Sequence, residues 1–426
     1  MAASPQPLLF DPLRGSQAID ASGELGANRH QDGRESGAGA SGLDLEFMRC
    51  TWRPLLARET RAGRSVVGAI AIAFALAIGA VSVAQAQVIN PLFPTPGPTP
   101  TPGITIISSD ISANQALGNL GSTFLERFTS QATNGVNRIG RSNPGGGGAS
   151  EAADAPRYRA WVEGYGMSSK TDTQGSFAGD RRTTYGGVAG IGATVMPGLS
   201  VGLSVDQSHS NIDVPLAFQW ANLDLTQVGA NFAIDKGPWT LAGAYVHGFG
   251  RINSNRNTGT SIAIANYNAS LDGAIIELDY FWLKDEFRIV PKLALEYVRS
   301  QTNGYTEQGT NFFLVTAGGA SAERARALIG AEVGRYFIVD RKILDLSAYG
   351  KFIDNFHQGF SPVTVSIPGF LPVTVQGIGE SRYGADAGAA ASLSLSNTFR
   401  LYARYDGKFR EHFESHQGTA GFEVKW

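Results

Sequence analysis

The residues best suited to chemistry are five histidines beyond residue 200, namely His209, His247, His357, His412 and His416. His412 and His416 stand four residues apart, the spacing of two metal ligands on one face of a helix. Because they fall in a polar turn before the last strand-like segment, we interpret them as solvated side chains. Because the connecting segments contain Ser and Asp residues, a membrane-embedded hydrolase remains an alternative function. The chain has, however, no Gly-x-Ser-x-Gly element and no phosphate-binding loop. The sequence therefore predicts no catalytic residues, no metal site and no cofactor.

The bulk composition excludes some classes of function. A formal net charge of -2 over 426 residues gives no basic surface for a nucleic-acid partner. Glycine is abundant at 53 residues but follows no collagen-type period, and it recurs where a curved strand wall needs small side chains. Mean hydropathy is -0.09, as in many soluble proteins. A membrane barrel gives the same average, because half of each strand is polar.

The first part of the chain has the features of a targeting segment. Residues 65–83 form an uncharged apolar run that follows several arginines and precedes a small-residue cleavage pattern, Ala84-Gln85-Ala86. We predict an extended N-region and signal peptide over residues 1–86, cleaved after Ala86, with Met48 as an alternative start. The other interpretation is a retained transmembrane helix, because the run approaches spanning length. The only cysteine, Cys50, precedes the predicted cleavage site, so the mature chain would have no disulfide.

A spacer, a helix and a joint come next. Residues 87–108 are rich in Pro and Thr and predict a stiff, polyproline-like spacer. Residues 109–135 predict a helix, because an apolar stripe recurs there at spacings of three and four, formed by Leu117, Leu120, Phe124 and Phe128. Residues 136–156 include four consecutive glycines and predict a flexible joint. The stripe must be buried somewhere, so we expect the helix to lie inside a barrel; the alternative is a helix packed on a soluble domain.

The rest of the chain, residues 157–426, consists of strand-like segments in which apolar and polar residues alternate. Phe399 and Leu401 fall on one face, for example, while Arg400 falls on the other. Twelve segments are long enough for tilted spanning strands. They run at roughly 157–166, 183–196, 199–211, 223–235, 239–252, 268–282, 287–300, 325–338, 343–355, 381–395, 398–409 and 417–426. The polar face carries both signs of charge, which indicates a hydrated lumen without strong ion selectivity.

The connections alternate between short and long, as in outer-membrane barrels. Short turns are predicted near 197, 237, 285, 340 and 396, and long connections at 168–182, 212–222, 253–267, 301–324 and 356–380, with an intermediate one at 411–416. Pro362-Val363-Thr364-Val365 recurs as Pro372-Val373-Thr374-Val375, which predicts an external β-hairpin. Aromatic residues beside the short turns predict an interfacial girdle: Trp239, Tyr280, Trp282, Phe287, Tyr336, Phe337, Phe399 and Trp426. We therefore predict an all-β transmembrane barrel of twelve antiparallel strands with an N-terminal α-helix in the lumen, rather than a soluble β-sandwich.

At this point the chain resembles the autotransporter (type V secretion) outer-membrane β-domain family, over roughly residues 155–426. The resemblance rests on three segments: an opening Ala160–Gly166, the glycine-rich Tyr185–Ala193 and the ending Gly421–Trp426. It implies a barrel in the bacterial outer membrane, surrounded by lipid, with loops at the cell surface. It also implies insertion by the outer-membrane barrel assembly machinery, which would read Phe422, Val424 and Trp426 as its signal. We expect a monomer.

The chain departs from that family in front of the helix. Only about twenty residues separate Ala86 from the predicted helix, which leaves no room for a sizeable passenger domain. We therefore expect a translocator, an anchor or a surface scaffold without a sizeable passenger of its own. A passive porin-like pore is the alternative, and a barrel-embedded hydrolase is a weaker one. Some members of the family cleave themselves at an Asn-Asn pair in the pore helix; none occurs here, and Asn134-Gly135 is better explained as a helix stop.

Overall fold

A computed structural model describes residues 106–133, 156–284, 287–310, 312–340 and 342–426. These residues belong to one unit of the chain, Glu59–Trp426. The predicted cleavage residues Ala84 and Ala86, residues 136–155 of the joint and residues 87–105 of the spacer lie outside the described residues.

Twelve long strands follow one helix, α1, which spans Ser108–Thr133. The strands are β1 (Tyr158–Thr171), β2 (Asp180–Met196), β3 (Leu199–Val214), β4 (Gln219–Lys236), β5 (Trp239–Asn257), β6 (Ile262–Tyr280), β7 (Phe287–Thr302), β8 (Ala320–Val339), β9 (Lys342–Phe360), β10 (Tyr383–Ser394), β11 (Phe399–Arg410) and β12 (Phe413–Lys425). After β6, a three-residue strand, Trp282–Lys284, pairs with the start of β7.

The twelve strands close into a barrel. Each pairs antiparallel with its neighbour in sequence, and the last strand returns to the first, with Ala160 opposite Val424. At that seam the Tyr158 N–H donates to the Trp426 carbonyl at 2.9 Å, and the Trp426 N–H donates back at 3.0 Å. The strand order, the antiparallel pairing and the closed ring confirm the predicted fold.

The two ends of the barrel differ. At one, which we name the tight-turn end, short turns such as Pro197-Gly198 join the strands and Trp426 ends the chain. At the other, which we name the loop end, two long connections at 303–319 and 361–382 stand among short ones. The short turns and the two longest connections therefore lie at opposite ends, as predicted.

The predicted lengths of several loop-end connections were wrong. The connections predicted at 212–222, 253–267 and 411–416 shrink to 215–218, 258–261 and 411–412 because the flanking strands continue. In these stretches every second residue is buried inside the barrel, including apolar ones such as Ile212 and Ala265. Residues 253–261 and 411–416 are mostly polar in sequence, whereas burial of every second residue inside the barrel keeps the flanking backbone in the sheet.

The helix α1 lies inside the barrel against strands β3 to β8. Its first turn is at the loop end, where the Gln219 Nε2 donates to the Ile106 carbonyl at 2.8 Å. Its last turn reaches the opposite half, where the Arg159 Nη1 donates to the Gln131 carbonyl at 2.6 Å. No helix in the described part of the chain combines the length and apolarity that crossing a membrane requires.

The two long connections fold into a small sheet of four short strands over the loop end: Tyr305–Thr306, Thr316–Ala317, Val363–Ser366 and Val373–Val375. Val363 pairs with Val375, so the repeated Pro-Val-Thr-Val segments form the predicted hairpin. The sheet buries Val315, Val363 and Val365 against Ile107 and Ile111 of the helix start. It thus covers the mouth of the barrel above α1.

Aromatic side chains mark the outer surface near the tight-turn end. Trp239 and Tyr280 meet edge to face with ring centroids 4.8 Å apart, and Tyr158 lies 6.2 Å from Trp426. Tyr336 is the exception to the predicted girdle. Its hydroxyl is buried and the Arg288 guanidinium lies 5.2 Å from its ring centroid, because the alternation of β8 turns this residue toward the lumen.

Candidate functional site: the lumen and its helix

The apolar stripe of α1 is buried against two zones of the barrel wall. Leu117 and Leu120 pack in a cluster with Leu223, Leu225 and Ile252 at the loop end. Phe124 and Phe128 belong to a second cluster nearer the middle of the barrel, where the ring centroids of Phe128 and Trp161 are 6.2 Å apart. All four stripe residues are at most 3% exposed. The stripe therefore seats the helix against β4 and its neighbours rather than along the axis of the barrel.

Glycines in the wall and in the helix allow this close approach. A Cβ atom on Gly229 of β4 would stand 2.7 Å from Phe124 Cε1 and 3.0 Å from Phe128 Cε1. On the helix itself, a Cβ on Gly121 would stand 2.6 Å from Leu271 Cδ2. Carbon atoms need about 3.5–4.0 Å. Gly121, which lowers helix propensity, is thus used where a side chain would push the helix off the wall.

Three cations surround the Glu126 carboxylate on the side of α1 that faces β8, β9 and β11. Arg326 Nη2 lies 2.7 Å from Glu126 Oε1, Lys408 Nζ 2.8 Å from the same oxygen, and Lys351 Nζ 3.3 Å from Oε2. Arg326 is paired as well with Glu296 of the wall at 2.8 Å. Glu126 is 5% exposed, so these charges interact in a region with little water to screen them.

The next residue points to a different wall. Arg127 Nη2 lies 2.6 Å from Asp206 Oδ2, and its guanidinium carbon lies 4.0 Å from the centroid of the Tyr165 ring. Tyr165 in turn donates to Asp206 Oδ1 at 3.0 Å. Successive residues on a helix point about 100° apart. Glu126 and Arg127 therefore fix how α1 is rotated, because a turned helix would set like charges against each other.

Sequence reasoning missed this pair as a functional feature. The signal was available: Asp110, Glu126 and Arg127 are the only charged residues in the 26-residue helix. Charged side chains are almost never fully buried without a partner. An adjacent pair of opposite sign, in a helix whose one other charge is in its first turn, predicts two walls of opposite charge, but not which strands supply them.

Asp110 anchors the first turn of the helix at the loop end, above the apolar outer band of the barrel. Tyr267 of β6 and Tyr305 of the small sheet both donate a hydroxyl to its carboxylate, and their rings stack with centroids 4.7 Å apart. Burial raises the pKa of Asp110 to about 6, although the two tyrosine hydrogen bonds act in the opposite direction. The Ser109 N–H donates to Gln219 Oε1 at 2.8 Å and satisfies one of the free donors of the helix start.

The residues predicted as an assembly signal lie on the outer face of β12 and just after it. Phe422 is 41% exposed and stacks on Phe399, with ring centroids 6.0 Å apart. Val424 shares that face, and Trp426 is 59% exposed at the tight-turn end. All three side chains are therefore available to lipid or to another protein, while Glu423 between them is buried.

The histidines do not form a site together. His209 and His247 each lie beside a carboxylate on the outer surface, 2.6 Å from Asp224 and 2.8 Å from Asp272. His416 is 2.7 Å from the Tyr405 hydroxyl. Within the described ranges, no three His, Cys, Asp or Glu side chains group as a metal site would require.

Comparison with known proteins agrees with this architecture. The sequence profile of the "Autotransporter beta-domain" family matches residues 160–406. The translocator domain of autotransporter NalP from Neisseria meningitidis is similar in structure, with a TM-score of 0.57, 16% identity, and coverage of 76% of this chain and 100% of that one. The β-domain of the Bordetella autotransporter BrkA gives a TM-score of 0.50, 15% identity, and coverage of 63% and 100%. At these identities the likeness concerns the fold alone. No curated protein sequence matches the chain.

Proposed function

The chain belongs to the autotransporter β-domain family, an outer-membrane β-barrel translocator architecture, and from that premise we propose that it anchors and presents its own short N-terminal segment at the cell surface. In this role the barrel is a translocator that has kept its helix, an anchor in the outer membrane and a scaffold for its loops, without a sizeable passenger. The loop end faces outward in the proposal and the tight-turn end faces the periplasm.

The observation that carries the proposal is the direction and seating of α1. The helix start lies at the loop end, where Ile106 is held by Gln219, which supports an exit of the preceding segment on that side. The helix is then fixed along its length by Asp110, by Glu126 and Arg127, and by the contact of Arg159 with Gln131. A chain gripped at the start, middle and end of its helix is suited to permanent anchoring.

A porin-like pore is less well supported. The apolar stripe and the charged pair occupy the lumen together, and the small sheet covers the mouth above Ile107 and Ile111. Conduction would require the helix to leave. Planar-bilayer recordings of the full chain should therefore show low conductance; a steady large conductance would favour the pore instead.

We also propose the partners that the sequence predicts. Lipid covers the exposed apolar band, and the outer-membrane assembly machinery inserts the chain by way of Phe422, Val424 and Trp426. The closed ring leaves no unpaired edge strand in the barrel, which supports a monomer. We expect no enzymatic activity.

Surface proteolysis of intact cells, combined with mass mapping of the mature N-terminus, tests the proposal. We expect a mature start at Gln87 and removal of part of residues 87–105 by a protease that does not enter the cell. A protease site inserted at Ser396-Asn397 is the matched control, because that turn is at the tight-turn end and should be cut only after the outer membrane is opened. Shaving at Ser396-Asn397 with protection of 87–105 would reverse the orientation and reject the proposal.

A further inference from the structure

The outer surface of β4 and β6 has three zones rather than two. Nearest the tight-turn end, residues such as Phe232 and Ile276 are exposed and apolar, as a lipid-facing band requires. A polar zone follows, which includes Asn222, Asp224 and Asn268. Beyond it, at the loop end, exposed apolar side chains return. An exposed apolar surface separated from the lipid band by polar residues indicates a binding surface.

This apolar patch is formed by Phe218, Trp220, Ile264, Phe312, Phe313 and Phe370. Several contacts join its parts into one surface. Trp220 and Ile264 flank Asn255 in the sheet. The Arg256 Nη2 holds the Phe313 carbonyl at 2.7 Å, and the ring centroids of Phe313 and Phe370 are 6.0 Å apart.

Three properties distinguish the patch from an ordinary loop surface. The segments that form it, 215–222, 257–264, 308–319 and 361–378, contain no charged residue. Phe312 is 90% exposed and Phe370 61%. Phe218 adopts a left-handed backbone conformation with φ of 52°, which costs a non-glycine residue about 1–2 kcal/mol. Such strain persists where it holds a side chain in a position with a use.

We propose that residues 87–105, the Pro/Thr-rich leader, bind the apolar patch in an extended polyproline-like conformation. The leader begins across the wall from the patch, at the same end of the barrel. The Ile106 carbonyl accepts from Gln219, whose side chain is buried inside, while its neighbours Phe218 and Trp220 are exposed on the outer face. The leader contains no charged residue, six prolines and the apolar pair Leu92 and Phe93.

Proline-rich segments bind aromatic surfaces with little loss of entropy, because the polyproline conformation is already formed. About nineteen residues at roughly 3.1 Å each reach up to about 60 Å, which is ample to pass over the loop end from the inside of the barrel to the patch on its outer face. The tether also gives the leader a high effective concentration over a free partner. The inference rests on the proposed function for where the leader leaves the barrel.

Distance measurement between two spin labels on the full, purified chain in detergent tests this. The labels are placed by Asn90→Cys in the leader and Gln308→Cys at the patch edge, since the mature chain is predicted to have no other cysteine. We expect a narrow distance distribution. The double substitution Phe312→Ser, Phe370→Ser should broaden it about twofold or more, toward that of a flexible chain. Phe356→Ser, an exposed phenylalanine on β9, is the matched control and should leave it narrow.

The opposing outcomes are distinct. A broad distribution in the otherwise unchanged chain, or a narrow one that survives the patch substitutions, would overturn the inference. Distances that appear only between mixed, singly labelled chains would assign the patch to a second copy, and patch-dependent binding to phosphatidylcholine vesicles would assign it to lipid. The detergent result does not depend on the side of the membrane. A narrow distribution combined with failed shaving in cells would therefore reject the proposed location and retain the leader contact.

Discussion

Replacing Glu126 by Gln tests whether the charged pair holds the helix in the lumen. The substitution keeps the shape of the side chain but removes the negative charge beside Arg326, Lys351 and Lys408. Arg326 keeps its ion pair with Glu296. Lys351 and Lys408 instead lose the carboxylate to which they are hydrogen-bonded. Breaking a buried pair by removing one partner costs about 3–5 kcal/mol.

That cost falls on the docked state of α1, because the cations remain buried only while the helix covers them. With a tenfold change for each ~1.4 kcal/mol, the ratio of displaced to docked helix should rise by roughly two to three orders of magnitude. Single-channel recording in planar bilayers measures this as the fraction of time spent in a high-conductance state. Glu126→Gln should raise that fraction strongly over the unsubstituted chain.

A double substitution and a control separate this from general loss of stability. Lys408→Gln in the Glu126→Gln background should cost less than Lys408→Gln alone, because its partner is already gone. Asp345→Asn removes a buried carboxylate that pairs with Arg288 between wall strands; it should lower the melting temperature without raising the open fraction. An unchanged open fraction in Glu126→Gln, or strictly additive effects of the two glutamines, would refute the reasoning.

Three further predictions concern the wall beside the helix, the start of the helix and the end of the chain. Gly229→Val should raise the open fraction, because its Cβ would stand 2.7 Å from Phe124 Cε1. Gly237→Val is the control for added bulk, since a Cβ there meets nothing within 4 Å, although the φ of 57° adds local strain. Equal conductance of the two variants would contradict the steric argument. Burial raises the pKa of Asp110 above its usual value of 3.8 to about 6, so docking of the helix start is favoured below pH 4 and weakens as pH rises through 6. Protection of the helix start from protease should therefore fall with rising pH, and Asp110→Asn should abolish that pH dependence. A pH dependence that persists in the variant would assign the effect to another group. Trp426→Ser should reduce the amount of folded, heat-modifiable barrel in outer-membrane fractions, whereas normal assembly would remove this residue from the proposed signal.

Much of the architecture could be predicted from alternation alone. A period of two with tight turns at one end identifies strands, their number and their pairing order, and the seam between Tyr158 and Trp426 follows once the number is even. The apolar stripe from Leu117 to Phe128 indicated a buried helix face in the same way. The ends of the strands were harder to predict. Residues 212–222 were predicted to be a loop, although Ile212 within that range and Leu223 just after it are buried inside the barrel.

The partners of Glu126 and Arg127 could not have been read from the sequence. Lys408 is 282 positions from Glu126 and Asp206 is 79 from Arg127. The tilt and stagger of the strands decide which residues stand at the same height in the lumen. The apolar patch has the same origin, because Phe218, Phe313 and Phe370 come from three connections that meet only when the barrel closes.

The sequence by itself determined that this chain forms a membrane barrel with a helix inside, because a side-chain period of two or 3.6 is a local property of the backbone. Only the tertiary structure decided which wall the helix lies against and which charges hold it. Those contacts join residues far apart in the chain, and the stagger of a closed sheet sets them.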